Sequence, residues 1–196
     1  MTSLIFHFCD LINKTSEPGD VIEFGTGGGL STETIASNIS KNRKIFTFDG
    51  FVGLPKTNKV IPDKTEWYEG NLKFDENKTR ELLKHHENVF VEKVMTYDLK
   101  SPSEYNINKI VGVNFDLDLY EGTLDGLRFM DKCEWKEIIL RFDDWGSYDF
   151  QVAAEVDQHE KAAFFDWIDE TKYQYQIRED LVNFSNKLFS IIIVKR

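Results

Sequence analysis

The stretch Asp20-Val21-Ile22-Glu23-Phe24-Gly25-Thr26-Gly27-Gly28-Gly29-Leu30-Ser31-Thr32-Glu33-Thr34-Ile35 decides how the chain is read. It starts as an apolar run of strand length, breaks into glycines at every second position, and resumes with residues suited to a helix. Glycine has no Cβ and accepts positive φ, so such a turn folds back tightly and lets a ligand touch its backbone amides. Ser31 and the pair Glu33-Thr34 stand where a capped helix begins.

Outward from this turn the same alternation recurs. Runs of strand length are expected at residues 20–25, 44–49, 88–93, 109–116, 136–143, 173–178 and 187–195, and the segments between the first five space their apolar residues three or four apart. A crossover helix buries its stripe against the strands it connects, so the pattern predicts an α/β fold, a doubly wound, mostly parallel seven-stranded sheet. No helix separates the last two runs, which should pair antiparallel at the sheet edge. Ligands of such sheets sit beyond the carboxyl ends of the strands, where strand order reverses. The long irregular stretch 50–74, with Gly53, Pro55, Pro62, Trp67, Tyr68 and Gly70, reads as a lid over that crevice. With no internal repeat, low-complexity tract or linker, residues 1–196 are expected to form a single domain.

Composition narrows the partners. A formal net charge of -10 is a poor match to a phosphate backbone or an anionic membrane, since either needs clustered Lys and Arg. The apolar opening has no basic flank and meets Asp10 at once, so a packed amphipathic helix is expected there rather than a signal peptide. Cys9 and Cys133 stand far apart without metal-ligand spacing, which fits a reducing cytoplasm.

Three phosphate- or cofactor-binding patterns compete for the glycine turn. A P-loop needs Gly-Lys-Ser/Thr, which is missing, and the GxGxxG dinucleotide pattern would need a small residue where Leu30 stands. Glu23, Gly25, Gly27 and Gly29 do match the acidic-x-Gly-x-Gly-x-Gly signature, and here the chain resembles S-adenosylmethionine-dependent methyltransferases. The turn from Gly25 through Thr26 to Gly29 then becomes the cofactor cradle. The second strand ends in Thr47-Phe48-Asp49-Gly50-Phe51, where Asp49 is placed to accept the two hydroxyls of a ribose and Phe51 to face the adenine.

The fourth predicted strand runs into Asp116-Leu117-Asp118, and the fifth ends in Asp143-Asp144-Trp145. Neighbouring strands lie about 4.8 Å apart, so these carboxylates can converge. Like charges so close raise one another's pKa unless a cation intervenes, and the lack of nearby His or Cys favours a hard ion such as Mg²⁺ over zinc or iron. Helix capping accounts for one carboxylate per helix, which leaves two doublets at consecutive strand ends in excess.

The segments Phe48-Asp49-Gly50-Phe51-x-Gly53-Leu54-Pro55, Asp116-Leu117-Asp118-Leu119-Tyr120-Glu121-Gly122-Thr123-Leu124 and Asp143-Asp144-Trp145 together resemble the macrocin-O-methyltransferase-like (TylF-type) family. The resemblance spans roughly residues 21–145 and implies the Rossmann-like methyltransferase fold. It further implies that Asp116, Asp143 and Asp144 bind Mg²⁺ and that Asp118 is the general base. Catechol-type relatives carry a lysine base shortly after the fourth-strand aspartate, whereas Leu119 and Tyr120 stand there in this chain.

The function expected is Mg²⁺-dependent transfer of a methyl group from S-adenosylmethionine to a hydroxyl of a vicinal diol in a sugar or other small metabolite. A non-catalytic cofactor- or nucleotide-binding module and an NAD-linked oxidoreductase are the alternatives. His159 is held as an alternative base within one helical stripe over residues 152–168, and His85 and His86 are read as surface residues at a helix end. Trp67, Tyr68 and Trp145 are candidates to stack on a sugar ring or to close the lid. Neither a nucleic-acid nor a membrane partner is expected, and self-association is left open.

Overall fold

The computed structural model describes residues 4–147, 150–181 and 189–196. The sheet contains β1 (Asp20–Phe24), β2 (Ile45–Asp49), β3 (Val89–Lys93), β4 (Ile110–Phe115), β5 (Glu137–Phe142), β6 (Gln174–Ile177) and β7 (Ser190–Lys195). Its strand order is β3-β2-β1-β4-β5-β7-β6, with β7 antiparallel to both β5 and β6 and every other pairing parallel. The seven-stranded doubly wound sheet therefore carries its antiparallel pair at the C-terminal edge, and the order reverses between β1 and β4. The expected start of the last strand at Lys187 lies outside the described residues.

The helices are α1 (Leu4–Lys14), α2 (Leu30–Asn38), α3 (Glu76–Leu83), α4 (Tyr120–Met130), α5 (Phe150–Val156) and α6 (Glu160–Thr171). Leu4, Phe8 and Ile12 of α1 and Ile35 of α2 bury against Val21, Ile45, Val111 and Ile139 on one sheet face. Leu127 and Phe129 of α4 and Phe164 and Trp167 of α6 cover the other. Among the described residues no helix is long and apolar enough to cross a membrane.

Strand register carries this packing to the site. Phe48, Phe24, Phe115 and Phe142 are partners in one row across β2, β1, β4 and β5. Their rings follow at centroid distances of 5.5, 5.5 and 4.9 Å, all essentially closed to solvent. Truncating any of them to alanine would cost about 3–5 kcal/mol. Side chains alternate, so the preceding residues Thr47, Glu23, Asn114 and Arg141 form a second row on the α1–α2 face. The following residues, Asp49, Gly25, Asp116 and Asp143, stand level at the carboxyl tips.

Two helix boundaries depart from expectation. The N-cap of α2 is Gly29 at φ 85°, with no side-chain cap bond, and Ser31 lies inside the helix. The stripe expected over residues 152–168 is broken between α5 and α6, where His159 adopts φ -103° and ψ -117°.

Candidate active site

At the reversal point lies a cavity of about 430 Å³. The glycine turn forms one wall, and the ends of β2, β3 and β4 form the others. Gly25 is fixed by contact: a Cβ there would lie 1.7 Å from the Asp116 carbonyl oxygen, so the tips of β1 and β4 approach as closely as they do only over a bare backbone. Asp49 spans the gap to the turn. Its Oδ2 accepts from the Gly27 amide at 2.8 Å and its Oδ1 from the Phe51 amide at 2.6 Å. Burial raises its pKa against the opposing pull of these two donors.

Of the residues assigned to the cofactor, Gly25, Thr26, Gly27 and Asp49 line the cavity, and three others lie off its wall. Glu23 is wholly buried behind the turn, where it accepts from the Thr32 and Thr47 hydroxyls and from Asn114 Nδ2. It braces α2, β2 and β4 against β1. Gly29 turns toward α3, with its missing Cβ 3.2 Å from Thr79 and 3.4 Å from Leu83. Phe51 is buried after a residue-level reversal at φ 54°, and the apolar wall is made instead by Leu72, Phe74, Val94 and Met95. The last two follow β3, a strand tip whose sequence Val94-Met95-Thr96 carries no charge or glycine to signal a site.

Asp116, Asp143 and Asp144 converge, with one carboxylate oxygen from each within 4.8 Å of the others. Asp116 also lines the cavity, as does Asp118. Asp118 sits at φ 60° beneath a 2.6 Å bond from the Leu119 amide to the Leu117 carbonyl, the tight three-residue turn that few side chains tolerate. It shares a hydrogen bond with Asp144. Burial, reinforced by Asp116 and Glu160, pushes the Asp118 carboxyl up to about 8. Burial and neighbouring carboxylates raise Asp116 and Asp144 well above their ordinary range as well.

The sequence reading missed two members of this group. Glu160, at the start of α6, is fully buried and accepts from the Leu117 amide at 3.0 Å and the Asp144 amide at 2.9 Å, so one carboxylate fixes both acidic loops. Arg141 is 3% exposed, donates to Asn114 Oδ1 at 2.6 Å and pairs with Asp143. Arg141 pairs with Asp143 and its charge also pulls on Asp116 and Asp144, one guanidinium in a group of five carboxyls. A donor set made only of carboxylate oxygens, crowded and short of positive charge, suits a hard divalent ion. Asp116, Asp143 and Asp144 are the residues that would hold it.

The lid is stapled at its base by the Leu54 amide to the Asn71 carbonyl at 2.8 Å and the Gly70 amide to the Leu54 carbonyl at 2.9 Å. Farther out, Thr57 Oγ1 and the Asn58 amide donate to Glu121 of α4 at 2.9 and 3.1 Å. His159 Nε2 meets the Val60 carbonyl at 2.8 Å, and Trp67 packs edge-on against the same imidazole. His159 is therefore an anchor for the lid, buried away from the cavity wall, and the structure does not bring it to the place of a base. Trp67 is buried with it, Trp145 packs on Phe142, Phe164 and Phe165, and Tyr68 is exposed. His85 is exposed as expected, whereas His86 is buried.

No protein-family model matches the chain, and no curated protein matches it. Solved structures do. The O-methyltransferase NovP aligns at 16% identity and a TM-score of 0.70 over 98% of this chain and 78% of its own. CalS11, a calicheamicin methyltransferase described as TDP-rhamnose 3'-O-methyltransferase, aligns at 20% identity and 0.70 over 97% and 77%. Fibrillarin from Aeropyrum pernix, solved with natively bound S-adenosyl-L-methionine, aligns at 9% identity and 0.56 over 94% and 71%. The chain has the Rossmann-like fold of these methyltransferases.

Proposed function

We propose that the chain is an O-methyltransferase that uses S-adenosylmethionine and Mg²⁺ and methylates one hydroxyl of a vicinal diol in a sugar or natural product. The observation that carries this reading is the double position of Asp116, which belongs both to the wall of the glycine-turn cavity and to the carboxylate cluster. A donor in the cavity and a diol at the cluster would then be neighbours. NovP and CalS11 support an oxygen acceptor, and the bound ligand of fibrillarin supports the donor.

In this reading Asp49 takes the ribose hydroxyls, and Val94, Met95, Leu72 and Phe74 exclude water around the adenine. Asp116, Asp143 and Asp144 would hold the Mg²⁺, which would supply Lewis acidity that lowers the pKa of an acceptor hydroxyl. Asp118, on the cavity wall and fixed by the tight turn at its own backbone, would remove that proton as an ionised carboxylate. The lid, latched to Glu121 and His159, closes the donor side. All of this is assigned to one domain, and the free buried Cys9 and Cys133 agree with a reducing cytoplasm.

The test is release of S-adenosylhomocysteine across a panel of hydroxylated acceptors, with Mg²⁺ or with EDTA. Turnover should require the metal, and Asp118→Asn should lower kcat by about 100- to 10,000-fold, the usual contribution of a general base. Calorimetry should show that the variant still binds S-adenosylhomocysteine. Turnover undiminished in EDTA removes the metal from the reaction. A protein that binds the cofactor but methylates nothing in the panel is a binding module instead.

A further inference from the structure

Behind the glycine turn, the start of α2 and the second half of α3 meet closely, with Thr79, Leu82 and Leu83 against Gly29. On the outer side of this junction stand Glu33, from the first turn of α2, and His85 and His86, just past α3. One carboxylate oxygen and two imidazole nitrogens there lie within 4.8 Å of one another. The two rings are 4.0 Å apart, centroid to centroid. His86 is 8% exposed, and its Nε2 has no hydrogen-bond partner, while Nδ1 lies 3.5 Å from the Lys41 ammonium. A buried imidazole nitrogen without a partner is costly unless something else meets it.

We propose that Glu33, His85 and His86 form a second metal site, distinct from the aspartate cluster, for a borderline divalent ion of the zinc type. The chemistry separates the two sites. The aspartate cluster offers oxygen alone and suits Mg²⁺, whereas two imidazoles with one carboxylate are a donor set that borderline ions such as zinc accept, with water as the fourth ligand. The ring nitrogens supply lone pairs, the carboxylate supplies charge, and no bond is made or broken beyond coordination. His85 is exposed and Glu33 half-buried, so both can rotate inward to the bond lengths of about 2.0–2.2 Å that zinc requires. The ion would clamp α2 to the end of α3, and with them the back of the glycine turn. The inference stands whether or not the chain methylates an acceptor.

Untagged protein in saturating Mg²⁺, which fills the aspartate cluster, is titrated with Zn²⁺ by calorimetry. Wild type should take up one ion per chain. His85→Ala and Glu33→Gln, changes of an exposed and a half-buried side chain, should weaken uptake by at least about 100-fold, since loss of even an outer partner of a ligand costs about 10- to 100-fold. Asp143→Asn should leave uptake intact. Zinc uptake that is absent in wild type, or that survives in His85→Ala, or that disappears in Asp143→Asn, overturns the site. Circular dichroism of each variant in the absence of zinc guards against mistaking misfolding for loss of a ligand.

Discussion

Glu23 has no access to water and is held by hydroxyl and amide donors from Thr32, Thr47 and Asn114. Burial raises its pKa, and the bonds from Thr32, Ser31, Thr47 and Asn114 only partly offset that rise. The sign of the consequence follows from linkage. A carboxyl whose folded pKa exceeds its unfolded value of about 4.3 contributes its full stability below that pH and loses it as pH rises through the folded value. Glu23→Gln cannot ionise, and its amide can satisfy the same neighbours because the threonine hydroxyls can accept as well as donate. The melting temperature of Glu23→Gln minus that of wild type should therefore grow as the pH is raised from 4 through neutrality. A difference that stays flat over that range would mean that the Glu23 pKa is the same in the folded and unfolded protein. Contact with the cofactor, as opposed to a bracing role, would appear as weakened S-adenosylhomocysteine binding in the same variant.

At the scale of elements, the site is a consequence of four strands ending level. Gly25→Ala tests this, because the new Cβ would collide with the Asp116 carbonyl at 1.7 Å and β1 and β4 would have to separate. The variant should lose S-adenosylhomocysteine binding and Mg²⁺ binding together, each by at least tenfold by calorimetry, although it adds one methyl group that is aimed at the Asp116 carbonyl. Loss of the first alone would show that the two sites are not set by one strand contact. The strand tips themselves were legible: each run of apolar residues stops at Gly25, Asp49, Asp116 or Asp143, and the sheet ends within a residue of each. The triplets Thr47-Phe48-Asp49, Asn114-Phe115-Asp116 and Arg141-Phe142-Asp143 even spell out the polar row, the aromatic row and the tip in turn. What could not be read was direction. An acidic residue before a glycine turn looks the same whether it faces a ligand, as expected for Glu23, or the sheet behind, as found. Phe51 turns inward through a left-handed backbone that no side-chain pattern announces. The role of Glu160 depends on α6 returning over two loops that lie 43 and 16 residues away in sequence. The break before α6 falls at His159, whose side chain meets Val60 of the lid, a contact of tertiary origin.

Across the whole molecule, the arrangement sets function against stability. The chain carries a formal net charge of -10, and it gathers Asp116, Asp118, Asp143, Asp144 and Glu160 into one group in which a buried guanidinium, Arg141, pairs with Asp143. Such a cluster opposes folding until a cation enters, since each carboxylate loses hydration and meets its neighbours' charge. Removing one member should therefore help the metal-free protein while destroying its response to metal. In EDTA, Asp116→Asn should melt at or above the wild-type temperature. In Mg²⁺ at about 100 times its dissociation constant, wild type should gain about 2.7 kcal/mol, which for a chain of this size corresponds to about 5–10 °C in Tm. Asp116→Asn should gain little. The crossing of the two curves, with the variant ahead without metal and behind with it, is the signature of carboxylates held together for an ion rather than for the fold. Parallel curves that rise equally with Mg²⁺ would place the ion elsewhere. Scanning both proteins at constant ionic strength, with potassium replacing Mg²⁺ in the control, removes the general screening of a chain this acidic and leaves only the effect of the site.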